Sequence, residues 1–582
     1  MHSRRAFDWL RMAASVAAPV ILCAWGFGQE IKEEKHWAFQ PVQRPSIPKV
    51  SNPSWPRTPI DAFVLARLDH AGLKPAPAAD RRTLLRRVYL DLIGLPPTPP
   101  EQERFLQDSS PLAWERVVDD LLSRPQYGER WARHWLDAVR YAESNGYERD
   151  GAKPNAWRYR DYVIDSLNSD KPYDRFVIEQ VAGDEMPGSN AEMQIATTFL
   201  RLGTWDDEPA DPLVDRYDQL DDVLGTTATA LMGVTLRCAR CHDHKFEPFS
   251  QEDYYRMLAV FEPLKRPRDS RDEHDRVVGT RAELAAYEAA VAKPQAEITA
   301  LEKKIETQRK TIRERILTSK EDSLPNASVG KPSSIPENAR AAFRVDPAKR
   351  TPEQKRLVKD FTGQLEQAID EAPSPEEKTQ RREWESQVAS IKKTLPKEPS
   401  RAYVWYEDSS KPPVTKIFRR GDPTRPKGEV GPGLPAVLAD QQPPPPEPLG
   451  KSTGRRLWLA RWLTRPENPL VARGIVNRIW QHHFGQGLVA SANDFGVMGQ
   501  KPVDQDLLDW SASDFVANGW KLKRLHRMIL LSQAYQMSSL PREAAGSKTI
   551  DSKIESLSHW QQRRLEAEAV RDSIMVVSSR LN

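Results

Sequence analysis

The chain has 582 residues, too many for one hydrophobic core, so two or three domains are expected. Hydrophobic residues make up 39% and charged residues 29%, an ordinary globular balance, and the 48 prolines call for many punctuated segments and irregular connections. A formal net charge of +4 is small for this length and excludes the basic footprint of a nucleic-acid binder.

Arg4, Arg5 and Arg11 precede an apolar run over residues 12–27, followed by the abruptly polar Gln29-Glu30-Ile31-Lys32-Glu33-Glu34. That order reads as an export signal over residues 1–28, and its apolar run is too short for a membrane span. Ser3-Arg4-Arg5-Ala6-Phe7 fits the front of a twin-arginine signal, although Asp8 and Trp9 do not continue it. No later stretch is long and apolar enough to cross a bilayer, so the expected location is the periplasm or the cell surface. Residues 29–59, rich in proline and tryptophan without periodicity, read as an extended arm.

Residues 60–264 read as an all-α domain with long loops. Leu84, Leu85, Val88 and Leu92 share one helical face, and Gly94 ends that helix. Thr98 and Glu101 form a capping box with Pro99 at the first helical position. Another helix starts near Pro111, and Trp131, Trp135, Ala138 and Ala142 continue the helical spacing. In residues 265–400, Ile298, Leu301, Ile305, Ile312 and Ile316 recur at near-heptad spacing among charges, and Trp384, Val388, Ile391 and Leu395 form a second stripe. The pair predicts an antiparallel helical hairpin acting as a charged spacer.

Residues 401–448 read as a small β segment, with strands over 402–406 and 414–418 joined by a polar turn. Arg420-Gly421-Asp422-Pro423 reads as a turn, the run to Pro435 as a structured loop, and Pro443 to Pro446 as a stiff linker. Residues 449–582 are helical again, over 457–463, 471–484 and 507–535, and the last domain is expected to be incomplete at Asn582. The fold class is mainly α: a multidomain helical protein with a coiled-coil-like insert and a small β segment.

The strongest chemical signal is Arg237-Cys238-Ala239-Arg240-Cys241-His242-Asp243-His244. Covalent haem c attachment needs two thiols about one turn apart and a following imidazole for the iron, which Cys238, Cys241 and His242 supply. Zinc held by Cys238, Cys241, His242 and His244, a redox pair, and a structural disulfide are the alternatives. Met186, Met193, Met232, Met257 and His134 are candidates for a distal iron ligand, and an open site is the other option.

A second constellation is acidic. Asp206, Asp207, Asp211 and Asp215 could hold calcium, or a carboxylate pair of this cluster could serve glycoside hydrolysis. The plainer reading is a solvated helix start with ion pairs to Arg149, Arg158 and Arg160. In the last domain, adjacent His482 and His483 point different ways on a helix, so packing and capping is their default role.

Several longer motifs carry a resemblance. His36-Trp37-Ala38-Phe39, Leu92-Ile93-Gly94-Leu95-Pro96-Pro97, residues 127–135 (YGERWARHW) and residues 238–246 (CARCHDHKF) resemble the planctomycete cytochrome-associated domain of unknown function 1549. Residues 468–473 (NPLVAR), 477–485 (NRIWQHHFG) and Asn493-Asp494-Phe495-Gly496 resemble its usual C-terminal partner, domain of unknown function 1553. The resemblance implies a secreted protein with haem at Cys238, Cys241 and His242 and no established activity. Relatives often carry a separate cytochrome c domain ahead of the arm, and histidine where this chain has Asp504.

Together these readings point to an exported c-type haem protein working in electron transfer or haem-dependent oxidation, with an unidentified redox partner. The alternatives are an extracellular polysaccharide-binding or hydrolytic module with a structural cysteine pair, and a structural surface protein with a helical stalk.

Overall fold

In the computed structural model, residues 35–265, 275–318, 335–439, 443–540 and 557–581 are described; the expected export signal lies outside them. The first helical block comprises α1 (Pro59–Ala71), α2 (Arg81–Leu92), α3 (Pro99–Gln107), α4 (Ala113–Ser123) and α5 (Pro125–Ala138). It continues through α6 (Trp157–Asn168), α7 (Tyr173–Ala182), α8 (Ala191–Ala196), α9 (Pro212–Thr227) and α10 (Gln251–Phe261). The helix starts are chemically marked. Asp80 accepts the Thr83 N–H at 2.9 Å to begin α2, and Thr98 with Glu101 closes the expected capping box of α3. Gly94 follows α2 with φ +71°, a left-handed backbone that suits glycine.

The charged insert is larger than a two-helix hairpin. It contains α11 (Arg281–Thr318), α12 (Glu337–Arg344), α13 (Pro352–Glu371) and α14 (Pro375–Thr394). Ile298 and Leu301 of α11 meet Val388 of α14, with Trp384 and Ile391 beside them. Farther along α11, Ile312 and Ile316 instead meet Phe343 of α12 and Leu365 and Ile369 of α13. The two stripes therefore do pair, but the far half of α11 finds partners in residues that lack an obvious stripe.

The expected β-hairpin is also rearranged. The strand β1 (Arg276–Val277) pairs antiparallel with β2 (Arg401–Ala402), closing the base of the insert. The strand β3 (Thr415–Phe418) pairs instead with β4 (Pro426–Val430), in the stretch read as loop. Arg420 and Gly421, at φ +54° and +73°, turn the chain between them. The first of the two expected strands thus joins a segment more than a hundred residues earlier in the sequence, a pairing no local pattern announces.

The C-terminal helices are α15 (Arg455–Leu463), α16 (Val471–Phe484), α17 (Gln505–Ala517), α18 (Leu522–Leu531), α19 (Gln533–Gln536) and α20 (Ala567–Val577). The continuous helix expected over 507–535 is broken at Gly519 and Trp520, both with positive φ. Asp504 caps α17 by accepting the Leu507 N–H at 2.9 Å. Both helical blocks and the arm share one hydrophobic core running from Ala38 to Trp560. Within it, α5 crosses α6 so closely that a Cβ on Gly128 would collide with Asn168 and the Ile164 carbonyl. Among the described residues, no helix is long and apolar enough to cross a membrane.

Candidate functional site

The chain leaves α9 through a widened last turn, Ala228–Met232, and Gly233 (φ +64°) redirects it toward a short turn of 3₁₀ helix, Arg237–Arg240. The Cys241 N–H reaches back to the Cys238 carbonyl at 3.4 Å. Side chains three apart in such a turn eclipse, so both thiols lie on one side. Both are free and exposed, while Ala239 between them is fully buried. Arg237 and Arg240 hold the turn to α9 through Asp222 at 3.0 Å and Asp218 at 2.7 Å. The Arg240 carbonyl accepts Gln251 Nε2 at 2.9 Å and the Tyr255 hydroxyl at 3.1 Å. Across the thiol side stands Gly421, where a Cβ would come 2.9 Å from Cys241 Sγ.

The two neighbouring histidines are used differently. His242 is exposed, and its Nδ1 lies 2.7 Å from the Asp243 carbonyl. A nitrogen facing a carbonyl at that distance carries the proton, which leaves Nε2 with the lone pair. His244 is the reverse. Its Nδ1 accepts the N–H groups of Glu247 at 2.9 Å and Phe246 at 3.3 Å, so its proton sits on Nε2. His244 therefore shapes the turn, and only His242 presents an open lone pair beside the thiols.

Three of the segments that carry the resemblance, residues 36–39, 238–246 and 493–496, meet here. Trp37 of the arm packs on Phe495 at 5.6 Å between ring centres, and Phe39 meets Phe249 edge-on at 5.7 Å. The Phe495 N–H bonds the Gly233 carbonyl at 2.7 Å, and buried Glu247 lies against Gly496 and accepts the Met498 N–H at 3.3 Å. On either side of that contact Phe246, Val497 and Met498 remain exposed, an apolar surface next to a polar turn. Two exposed thiols on one side, an imidazole with Nε2 free, and adjoining apolar surface are a donor set that fits haem c at its attachment point. Of the candidate distal ligands, Met232 and Met257 are fully buried in the core, and Arg175 points a guanidinium nitrogen at the Met193 sulfur.

The acidic cluster is largely engaged in local bonds. Asp211 caps α9 through the Leu213 and Val214 N–H groups, Asp206 accepts the Glu208 N–H, Asp207 accepts Trp205 Nε1 at 2.8 Å, and Asp215 accepts Gln219 Nε2 at 3.1 Å. Arg149 pairs with Glu208 as expected, but Arg160 turns to Glu143 and Asp161, and Arg158 to Asn155. The cations on the far side of the cluster are instead Arg140, Arg237 and Arg240, on Asp222 and Asp218. Among the described residues, no three His, Cys, Asp or Glu side chains are grouped so as to hold a metal ion.

A second constellation, not assembled by sequence reasoning, lies where α2, α5 and α16 meet the segment before α20. Buried Asp91 receives His483 Nδ1 at 2.8 Å, the Tyr535 hydroxyl at 3.0 Å and a short bond from Arg563. His483 Nε2 faces His526 Nδ1 at 2.8 Å. His482 stacks on His134, with ring centres 3.6 Å apart and planes 18° from parallel. Burial pushes His482 down to about 4, helped by His483 and Arg130, and drives His134 and His526 lower still, so these rings are neutral at neutral pH. Burial alone would raise the Asp91 carboxyl, but Arg563, His483 and Tyr535 together hold it below the ordinary value. The adjoining cavity has a volume of about 570 Å³. Its residues come from five separated segments. The visible signals were the histidines inside the YGERWARHW and NRIWQHHFG motifs, and neither shows in one dimension that it faces the other.

Fold and motif together define a helical multidomain protein with a Cys-x-x-Cys-His turn and a buried histidine cluster. Residues 59–266 match PSCyt2, a protein of unknown function (DUF1549), and residues 455–582 match PSD1, a protein of unknown function (DUF1553). The chain thus carries these two domains in this order. No curated protein and no solved structure matches it.

Proposed function

We propose that the protein is an exported c-type haem protein, acting in electron transfer or haem-dependent oxidation outside the cytoplasm. The observation that carries this reading is the hydrogen bond from His242 Nδ1 to the Asp243 carbonyl, which leaves Nε2 open beside two exposed thiols. Cys238 and Cys241 would each add across a haem vinyl group, the sulfur bonding one vinyl carbon and a proton ending on the other. His242 Nε2 would face the iron, oriented by the Asp243 carbonyl much as outer-shell carbonyls orient metal-bound imidazoles. Haem held there supplies a one-electron couple. His244 sets the following turn, and Gly421, having no side chain, lets the turn between β3 and β4 pass close to Cys241 Sγ. The tautomer of His244 also disfavours zinc, since its proton sits on the nitrogen a metal would need.

Eclipsed thiols on one turn favour a second reading, a structural disulfide between Cys238 and Cys241. Expression in a host with cytochrome c maturation, followed by peroxidase staining of denatured gels, separates the two. Wild-type protein should stain, and the Cys238→Ala/Cys241→Ala double variant should not. His242→Ala should mature poorly, while His244→Ala should keep its haem. Unstained wild-type protein with the two thiols bonded to each other would overturn the haem reading.

A further inference from the structure

The cavity beside the histidine cluster has an unbalanced lining. Five arginines (Arg86, Arg87, Arg130, Arg563 and Arg564) face it, against the carboxylates of Asp91 and Glu566. Asp91 is occupied by His483, Tyr535 and Arg563, and Glu566 by Arg130 at 2.5 and 3.1 Å and by Arg133. Among the described residues, no carboxylate bonds Arg87. Its guanidinium lies 4.0 Å over the Trp560 ring and donates to the backbone carbonyls of Tyr535 and Met537. Those contacts fix the direction of the charge, while Asp91 and Asp80 attract it only from a distance, without a direct ion pair. The Nε of Arg130 is buried with no hydrogen-bond partner among the described residues. Arg86, Arg563 and Arg564 are exposed to solvent, whereas Arg87 and Arg130 are half-buried. A half-buried cation without a directly paired anion is costly, and a bound anion would offset that cost.

The neighbours are suited to the same task. The stacked pair of His134 and His482 is neutral, so it lends ring nitrogens to the wall without adding charge. Gln481 and Gln562 add amides at the edge. A volume of about 570 Å³ is within the range of small-molecule sites. The concave shape and a whole-chain charge of only +4 argue against an extended polyanion such as nucleic acid.

We propose that this cavity binds a small organic anion carrying more than one negative charge, a polycarboxylate, a phosphate ester or a multiply sulfated ester, with Arg87 as the anchoring cation. The site is separate from the Cys-x-x-Cys-His turn, and its test does not require haem.

The experiment titrates the full chain, in low-salt buffer, with inorganic sulfate, inorganic phosphate, citrate and glucuronate, by calorimetry and thermal shift. At least one of sulfate, phosphate and citrate should bind saturably, raise the melting temperature and exceed singly charged glucuronate. A tetrahedral or a carboxylate preference then tells which source of oxyanions the site takes. Added sodium chloride should weaken binding. Arg87→Gln should weaken it by about tenfold or more, the loss expected of a charge-assisted bond. Arg564→Gln, an exposed position, should weaken it several-fold with the ligand-free melting temperature unchanged, and it carries the test if Arg87→Gln fails to fold. Absence of saturable binding by all four probes, or wild-type binding in the Arg564→Gln variant, would overturn the proposal.

Discussion

Trp131 stands among four imidazoles, with ring centres 5.2 Å from His134, 5.9 Å from His482, 4.9 Å from His483 and 4.1 Å from His526. Such a cluster persists in a buried place only while most of its rings stay uncharged. His134, His482 and His526 are held below the ordinary histidine value of 6.5, His482 at about 4, with burial the main cause. As pH falls below about 6.5, the unfolded chain takes up protons that the folded chain refuses, so stability is complete above that value and is lost toward pH 4. The expected slope is up to about 1.4 kcal/mol per pH unit for each histidine so held. Urea unfolding at closely spaced pH values between 7 and 4 should show this fall, and a His134→Gln/His482→Gln variant should show a shallower one. The depressed carboxyl of Asp91 acts in a different window: its stabilisation is present above the unfolded carboxylate value and disappears only in stronger acid. A flat profile between pH 7 and 5 would mean that the cluster is open to protons in the folded state.

Among the elements, the insert is the most separable. Its hydrophobic contacts form two clusters of their own, distinct from the main core. Its two ends are already joined, because β1 pairs with β2 and the Val278 N–H bonds the Ser400 carbonyl at 2.7 Å. The base is in turn fixed to α8, where Gln194 exchanges two hydrogen bonds with Gly279 at 2.8 and 3.1 Å. Replacing residues 281–397 with a short glycine-containing turn should therefore keep the pairing of β1 with β2 and leave the rest folded. Circular dichroism should lose helical signal in proportion to the deletion, while the main thermal transition moves by only a few degrees. Aggregation of the shortened protein would show that the helices of the insert support the main core.

At the scale of the molecule, two buried arginines join the parts. Arg473 of α16 bonds Asp509 of α17 at 2.6 Å and also reaches the Gln40 carbonyl at 2.9 Å, tying the arm to the C-terminal block. Arg456 of α15 is fully buried and meets Asp184 at 2.6 Å, Glu185 at 3.0 Å and Glu407 at 3.1 Å. It thereby links the two family-matched regions with the β segment between them. Burial pushes Glu185 up to about 7 despite Arg456, so three carboxyl groups share one cation with a proton retained near neutrality. Removing the cation would leave buried charge without a partner, which costs about 3–5 kcal/mol. Arg456→Met should lower the denaturation midpoint accordingly, whereas a loss below about 1 kcal/mol would mean that the network is wet and weakly coupled.

Local chemistry was legible wherever a few adjacent residues suffice. Thr98 with Glu101, and Gly94, mark helix ends because a cap or a left-handed residue acts within one turn. The Cys238, Cys241 and His242 spacing is legible for the same reason. The amphipathic stripes of the insert predicted that α11 and α14 would meet, since helical periodicity itself specifies the face that must be buried. Long-range pairing was not legible. The strand β2 chose β1, and β3 chose β4, because two-residue and four-residue strands carry too little pattern to select a partner. Likewise, Asp91, His134, His483, His526 and Arg563 are ordinary residues on separate segments, and each alone reads as packing or surface. Only tertiary structure brings them within hydrogen-bond and stacking distance, and only burial there removes the water that would otherwise let His134 and His526 titrate normally.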